Sequence, residues 1–572
     1  MTDHTAQDAA LEARVRAWIA DDPDPASREE LAALLEAGDT TELAARFAGP
    51  LTFGTAGLRG PLRAGPNGMN LAVVRQAAAG LVGWLVANAT TAQEPLVIGY
   101  DARRGSAQFA AETARVATGA GLRALVMPRP LPTPLLAFAV RHLGGCAGVM
   151  VTASHNPPQD NGYKVYLGAR LGGVLGAGAQ IVPPVDAEIS ARIAAVTKLS
   201  EVPLGGEGEI LDESIVTAYL ERAAKVVDPD GNRDLVVAYT PLHGVGGQIL
   251  VDAFTKAGFT APQPAPAQWA PDGTFPTVAF PNPEEPGAMD QVIALARQIG
   301  ADIAIASDPD ADRCAVAIPV GRARPSQQEF GQSPSAPGGW RSLRGDEVGV
   351  LLADHLMRRG IRGTYATTIV SSSLLKALAA DRGLGYGETL TGFKWIVRAA
   401  EDLAFGYEEA LGYCVDPGGV RDKDGITAAL VVAELAAGLK AELRTLADRL
   451  DEIAEKHGVY ATDQLAVRVE DLAEITDAMA RLRAKTPVTL LDEPVTAIED
   501  LLPGADVVIL RTADARVVVR PSGTEPKLKA YLEVVEPVVE GDAAAARERA
   551  SAALTALRTE TAAALGIWSV AP

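Results

Sequence analysis

"MVTASHNPPQDNGYKVY", residues 150–166, opens as a buried strand and then changes character. After Val151 come Thr152, Ala153, Ser154, His155 and Asn156, then two prolines and an Asn-Gly pair. Pro157 and Pro158 lock φ and push the preceding residue extended, and Asn161-Gly162 supplies a turn, so no helix starts at once. A hydroxyl on a rigid loop at the carboxyl end of a strand stands where open α/β sheets bind and transform ligands. A lone serine in such a turn ordinarily caps it, but His155 and Lys164 nearby point toward a nucleophile.

Outward from this loop, short β-rich runs alternate with Ala/Leu-rich helical stretches. "PLVIGYDAR" (95–103) reads as a strand, "SAQFAAETARVATGAG" (106–121) as a helix and "LRALVM" (122–127) as a strand. The rhythm recurs at "LVVAYTP" (235–241), "ADIAIASD" (301–308) and "TYATTIVS" (364–371). Such alternation predicts βαβ units and parallel or mixed sheets. The last part differs: "DVVILRTADARVVVRPSG" and "KLKAYLEVV" read as a meander, followed by an Ala-rich helix from about Asp542, an α+β domain. Residues 321–344, rich in Pro, Gly, Ser and Gln, break the rhythm and predict a mobile surface insertion.

With 572 residues the chain is too long for one core, and 48% hydrophobic residues with mean hydropathy +0.10 is a globular composition. A formal charge of −20 argues against nucleic acid, though a few converging basic residues still suffice for a small anion. Three scattered cysteines, Cys146, Cys314 and Cys414, form no metal spacing and read as reduced thiols. The acidic, amphipathic start has no apolar core of a signal peptide, and no run of about 18 apolar residues predicts a membrane span. A cytoplasmic protein with a small-molecule substrate is the expectation.

Three further stretches carry chemistry. In "SDPDADR" (307–313), Asp308, Asp310 and Asp312 alternate after an apolar strand, so one loop aims three carboxylates at a point. They repel unless a cation neutralises them, and oxygen-only ligation suits Mg²⁺. An EF-hand is excluded because Arg313 and Pro319 stand where Gly and Glu are required. A phosphatase with an aspartyl nucleophile is the stronger rival. In "VVVRPSGTEPKLKAYLE" (517–533), Arg520, Ser522, Gly523 and Thr524 lie on a turn between strands, where a fork donor, hydroxyls and backbone N–H groups form an anion cradle. In "FGYEEALGY" (405–413), Glu408 and Glu409 follow a strand, placed to accept from sugar hydroxyls, although paired acids also open helices. Arg59 in "TFGTAGLRG" and Lys394 in "LTGFKWI" are each compatible with a structural role, and His243 in "TPLHGVGG" reads as part of a strand-to-helix cap.

Taken together, "TASHNPP", "DPDADR", "GYEEALGY" and "RPSGTEP", in that order, resemble the α-D-phosphohexomutase superfamily over about residues 51 to 535. The resemblance is to the branch related to bacterial α-phosphoglucomutases and animal phosphopentomutase. It implies an α/β molecule of four domains around a central cleft, three mixed α/β domains plus a C-terminal α+β domain. The expected boundaries are 1–213 (with a helical extension 1–50), 214–344, 345–455 and 456–572. It further implies that Ser154 is phosphorylated and that Asp308, Asp310 and Asp312 hold one Mg²⁺ with a phosphoserine oxygen. Glu408 and Lys394 would contact the sugar, and Arg520, Ser522, Gly523 and Thr524 the phosphate not in transit. Arg59, Lys164 and Arg313 would stabilise the transferring phosphoryl group, with His155 and Lys164 near the proton transfers. The implied reaction interconverts hexose 1- and 6-phosphates, glucose first and mannose second, with glucose 1,6-bisphosphate as activator. Phosphopentomutase, bisphosphate synthase, a metal-dependent sugar phosphatase and a silent sugar-phosphate sensor are the alternatives. The chain departs from many relatives at Ala410, where they carry serine, and at Gly412 and Tyr413, where some carry histidine.

Overall fold

The computed structural model describes residues 2–88, 93–320, 339–469, 471–522 and 527–566. The described residues fall into two compact units, one formed by Met1–Val348 with Gly392–Leu443 and the other by Gly349–Thr391 with Arg444–Pro572.

The first unit begins with the expected helical extension: helices Thr2–Asp21, Pro25–Ala37 and Thr40–Arg46. Asp24 caps the second by accepting from the Ala26 amide, with Pro25 at the first helical position where its missing N–H is harmless. Val15, Leu31, Leu43 and Phe47 form a small core with Ala64, which attaches the extension to the body of the unit.

A six-stranded mixed sheet comes next. Leu96–Tyr100 runs parallel to both Ala124–Val126 and Ala147–Val151. Asp160–Leu167 returns antiparallel to Ala147–Val151, and Leu58–Pro61 pairs antiparallel beyond it. The central strands read as continuous apolar runs because helices such as Leu71–Ala87 and Ser106–Gly119 are packed into the same core. Consequently the loop 152–159 is the connection between two neighbouring strands of one sheet.

The second sheet is also mixed. Val237–Thr240 and Ile303–Ala306 are parallel, while Ala315–Pro319 is antiparallel to Ile303–Ala306, so "SDPDADR" is a hairpin loop. Trp340–Ser342 adds an antiparallel edge strand against Ala315–Pro319. Of the segment 321–344 expected as a mobile surface insertion, the last residues thus hold a strand against Ala315–Pro319, and 321–338 lie outside the described residues. The hairpin Leu403–Glu408/Gly412–Cys414 and the buried helix Gly425–Ala441, capped by Asp424, complete the unit.

In the second unit Thr364–Thr368 and Gly385–Thr389 are parallel. The predicted meander is present as a five-stranded antiparallel sheet built on Val459–Arg468, Lys527–Glu536, Ala515–Pro521, Val508–Arg511 and Ala497–Asp500. Val517 and Val519 face a core shared with Leu557 of the helix Ala543–Leu565, whose N-cap is Asp542, and Val518 faces Ile369 and Val370 on the other side. All three cysteines are buried and free. No described helix is long and apolar enough to cross a membrane.

Candidate active site

Ser154 occupies left-handed backbone, φ 52°, an uncommon state for a non-glycine residue, and only 3% of its surface is exposed. Its amide donates to Thr152 Oγ1 at 2.9 Å, and Thr152 in turn donates to Asp101 at 2.7 Å. Ser154 Oγ donates to Asp308 Oδ2 at 2.7 Å and stands 3.1 Å from His155 Nδ1. Burial, followed by the nearby Arg313 and Arg59 charges, holds His155 well below the usual histidine range, so the imidazole beside the hydroxyl is neutral.

Asp308, Asp310 and Asp312 are fully buried, and a carboxylate oxygen from each lies within 4.8 Å of the others. Close backbone approaches hold their loop. A Cβ at Gly244 would stand 2.4 Å from Pro309 Cα, one at Gly246 2.5 Å from Ala311 Cβ, and one at Gly425 2.3 Å from the Arg313 carbonyl oxygen. The "TPLHGVGG" turn is therefore a clasp for the acidic loop, and His243 within it bonds Thr277 Oγ1 at 2.8 Å. Only part of the triplet is satisfied by protein groups. Thr133 Oγ1 and Lys164 Nζ donate to Asp310 Oδ2 at 2.6 and 2.7 Å, and Lys164 Nζ also reaches Asp312 Oδ2 at 3.1 Å. Asp310 Oδ1 and Asp312 Oδ1 are buried without a hydrogen-bond partner. Burial, then the Asp310 and Asp312 charges, push Asp308 well above the carboxylate range. Buried carboxylate oxygens that receive no hydrogen bond and converge within one loop fit a hard divalent cation.

The remaining predicted residues of the first unit converge on the same place. Arg59, on the strand paired with Asp160–Tyr163, donates to Asn156 Oδ1 at 3.0 Å. Gly57 makes that approach possible, since a Cβ there would sit 1.7 Å from the Tyr163 carbonyl oxygen. The Arg313 amide donates to Asp308 Oδ1 at 3.1 Å and its guanidinium to the Ala410 carbonyl at 2.8 Å. Although burial opposes it, the Glu408 and Asp312 carboxylates hold Arg313 protonated. Glu408 ends the strand Leu403–Glu408 opposite Gly412. Burial pulls Lys394, on the short helix Phe393–Ile396, below the usual lysine range, opposed by the Glu408 charge.

Sequence reasoning missed Lys423. It is buried, with Nζ 3.2 Å from Asp312 Oδ2 and 3.6 Å from Asp422 Oδ1, and it lies over the Phe393 ring. Gly412 makes room for it, since a Cβ there would meet Lys423 Cδ at 2.4 Å. The available signal was a lysine between two aspartates ("RDKDG") directly before an apolar helix.

In the second unit Arg520 lies near the end of Ala515–Pro521, opposite Lys529, and the Ser522 amide donates to the Lys527 carbonyl at 2.8 Å across the turn. Gly523 and Thr524 lie outside the described residues.

Residues 50–200, 217–321 and 344–457 match the models of phosphoglucomutase/phosphomannomutase α/β/α domains I, II and III, and residues 465–551 match the C-terminal domain of the same family. The "Probable phosphomannomutase" of Haemophilus influenzae is 43% identical over 474 residues, covering 82% of this chain and 93% of that one. The "Phosphopentomutase" of Mus musculus is 33% identical over 592 residues, covering 93% and 91%. The solved "putative phosphomannomutase" of Thermus thermophilus matches with a TM-score of 0.68 at 25% identity, covering 90% of this chain and 99% of that one.

Proposed function

Because this chain belongs to the phosphoglucomutase/phosphomannomutase family, with its four-domain architecture and isomerase class, we propose that it interconverts hexose 1-phosphates and hexose 6-phosphates, glucose ahead of mannose, through phospho-Ser154 and a 1,6-bisphosphate. The observation that carries this reading is Ser154 Oγ, 2.7 Å from Asp308, beside a buried carboxylate triplet with two unpartnered oxygens.

One fixed donor cannot move a phosphoryl group directly between O1 and O6 of a hexose. Two transfers solve the geometry: phospho-Ser154 gives its group to the free hydroxyl, the bisphosphate turns over, and its other phosphate returns to Ser154. Asp308, Asp310 and Asp312, with a phosphoserine oxygen, would hold one Mg²⁺, whose chemistry is to neutralise charge on the phosphoryl oxygens. Lys164 and Arg313, both held protonated by carboxylates, stabilise the same charge, and Arg59 fixes the loop from its other side. Neutral His155 is placed to hold the proton at Ser154 Oγ. Glu408 and Lys394 orient the sugar hydroxyls. Arg520 and Ser522, with Gly523 and Thr524, recognise the stationary phosphate by charge and shape, which suits a cradle that must accept either phosphate in turn.

A pentose phosphate is the second reading. It is supported by the relative matched across 93% of the chain and by Ala410, which offers a backbone carbonyl to Arg313 and no hydroxyl to a sugar. A coupled assay with glucose 1-phosphate, mannose 1-phosphate and ribose 1-phosphate, with and without glucose 1,6-bisphosphate, separates these. Isomer formation with a lag that the bisphosphate removes is the expected outcome. Release of inorganic phosphate with no isomer would replace the mutase by a phosphatase.

A further inference from the structure

The geometry points to Arg103 as the positioning residue that sets the orientation of Ser154, an inference that rests on the mutase reading of that serine. Arg103 is 4% exposed. Its Nη2 donates to the carbonyls of Ser154 and Asn156, each at 2.6 Å, and its Nη1 to those of Pro157 and Asp160 at 2.9 and 3.1 Å. The turn thus aims four carbonyl oxygens inward at one point. Their dipoles repel one another unless a cation with spread-out donors sits among them, and a planar guanidinium has that shape where an ammonium does not.

Two other contacts fix the hub. Asp101 accepts from the Arg103 amide at 3.0 Å and also receives Thr152, the residue that holds the Ser154 amide. On the other side the guanidinium carbon lies 4.8 Å from the centre of the Phe275 ring, and Gly273 is close enough that a Cβ would stand 2.9 Å from Arg103 Cα. Arg103 does not touch Ser154 Oγ. It acts through the backbone, by keeping Ser154 in the left-handed state that directs its hydroxyl to Asp308. Without the hub that strained conformation is free to relax.

The test compares wild type, Arg103→Lys and Arg103→Ala in isomerisation, in single-turnover phosphorylation of Ser154 by glucose 1,6-bisphosphate, and in amide hydrogen exchange over residues 154–160. Arg103→Lys should lower kcat about 100-fold with KM near wild type, because a displacement near 1 Å suffices for that loss. It should slow Ser154 phosphorylation in parallel and speed exchange in the loop. Arg103→Ala should be partly rescued by millimolar guanidinium and not by ammonium at equal ionic strength. Wild-type kcat in Arg103→Lys, a loss that only tracks the unfolded fraction, or failure of both variants to fold would each overturn the assignment. If wild type itself fails to isomerise, the mutase reading falls, and unchanged loop exchange in Arg103→Lys would then separately overturn the role of Arg103.

Discussion

Two buried acid–base centres invite comparison, one in each unit. Around Asp354, a fully buried carboxylate, both oxygens are saturated. Oδ1 accepts from Arg382 and Arg449 at 2.8 and 2.7 Å, and Oδ2 from Arg358 and Arg449 at 3.0 and 2.8 Å. Although burial opposes it, these guanidinia hold Asp354 below its usual range. Around Asp308, Asp310 and Asp312, three acids face Lys164, Lys423 and Arg313, yet two oxygens receive no hydrogen bond and Asp308 is pushed upward. Burial and charge are common to both. What separates the two is the acceptor side: the Asp354 oxygens are all satisfied, although Arg382 Nε beside them is itself buried without a partner, whereas two oxygens of the triplet receive no donor.

The sharpest way to break this contrast is to remove one acid from each centre. Asp308→Ala should lower isomerisation by about 10³-fold, since it removes both the Ser154 acceptor and one of the carboxylates proposed to hold the cation. Its melting temperature should fall less than that of Asp354→Ala, because only Ser154 Oγ and the Arg313 amide lose an acceptor and no guanidinium cluster is stripped of its carboxylate. Calorimetry beside the coupled assay reads both, and loss of stability with activity intact would erase the distinction. Asp354→Ala should do the opposite, losing about 3–5 kcal/mol in chemical denaturation because Arg358 and Arg382 lose this carboxylate and Arg449 is left with Glu452 alone, with kcat per folded molecule unchanged.

A smaller effect sharpens the comparison. Mg²⁺ at about a hundred times its Kd should stabilise wild type by about 2.7 kcal/mol, visible as a rise in melting temperature that a chelator reverses. Asp354→Ala should retain that shift and Asp310→Asn should lose it; the reverse pattern would place the cation elsewhere. The smallest expected effect is at Arg520→Ala, where loss of a charge-assisted hydrogen bond should raise KM about tenfold. Phosphorylation of Ser154 by added bisphosphate should proceed as in wild type, and equal damage to both would refute the division of labour.

The sequence announced those parts of the molecule whose logic is local. Ser154, the alternating aspartates and the Arg520 turn each follow an apolar strand within a few residues, so strand end and chemistry are read in one glance. The meander and its terminal helix were legible for the same reason. Arg103 was not, because its four acceptors lie 51 to 57 residues away and "DAR" alone looks like a strand exit. Thr133 reaches Asp310 across 177 residues, and Lys423 meets Asp312 only once Gly412 has left room. The glycines of "TPLHGVGG" looked like cap residues because nothing in the local string reveals that another loop lies against them. Trp340–Ser342 escaped notice because an edge strand of 3 residues carries no periodicity.

The left-handed backbone at residue 154 also bears on what substitutions descent can explore there. Threonine offers the same hydroxyl, yet its branched Cβ is disfavoured at φ 52°. The usual drift between the two alcohol side chains is thereby closed at this position, and a lineage that abandons serine here gives up the hydroxyl together with the curvature that presents it.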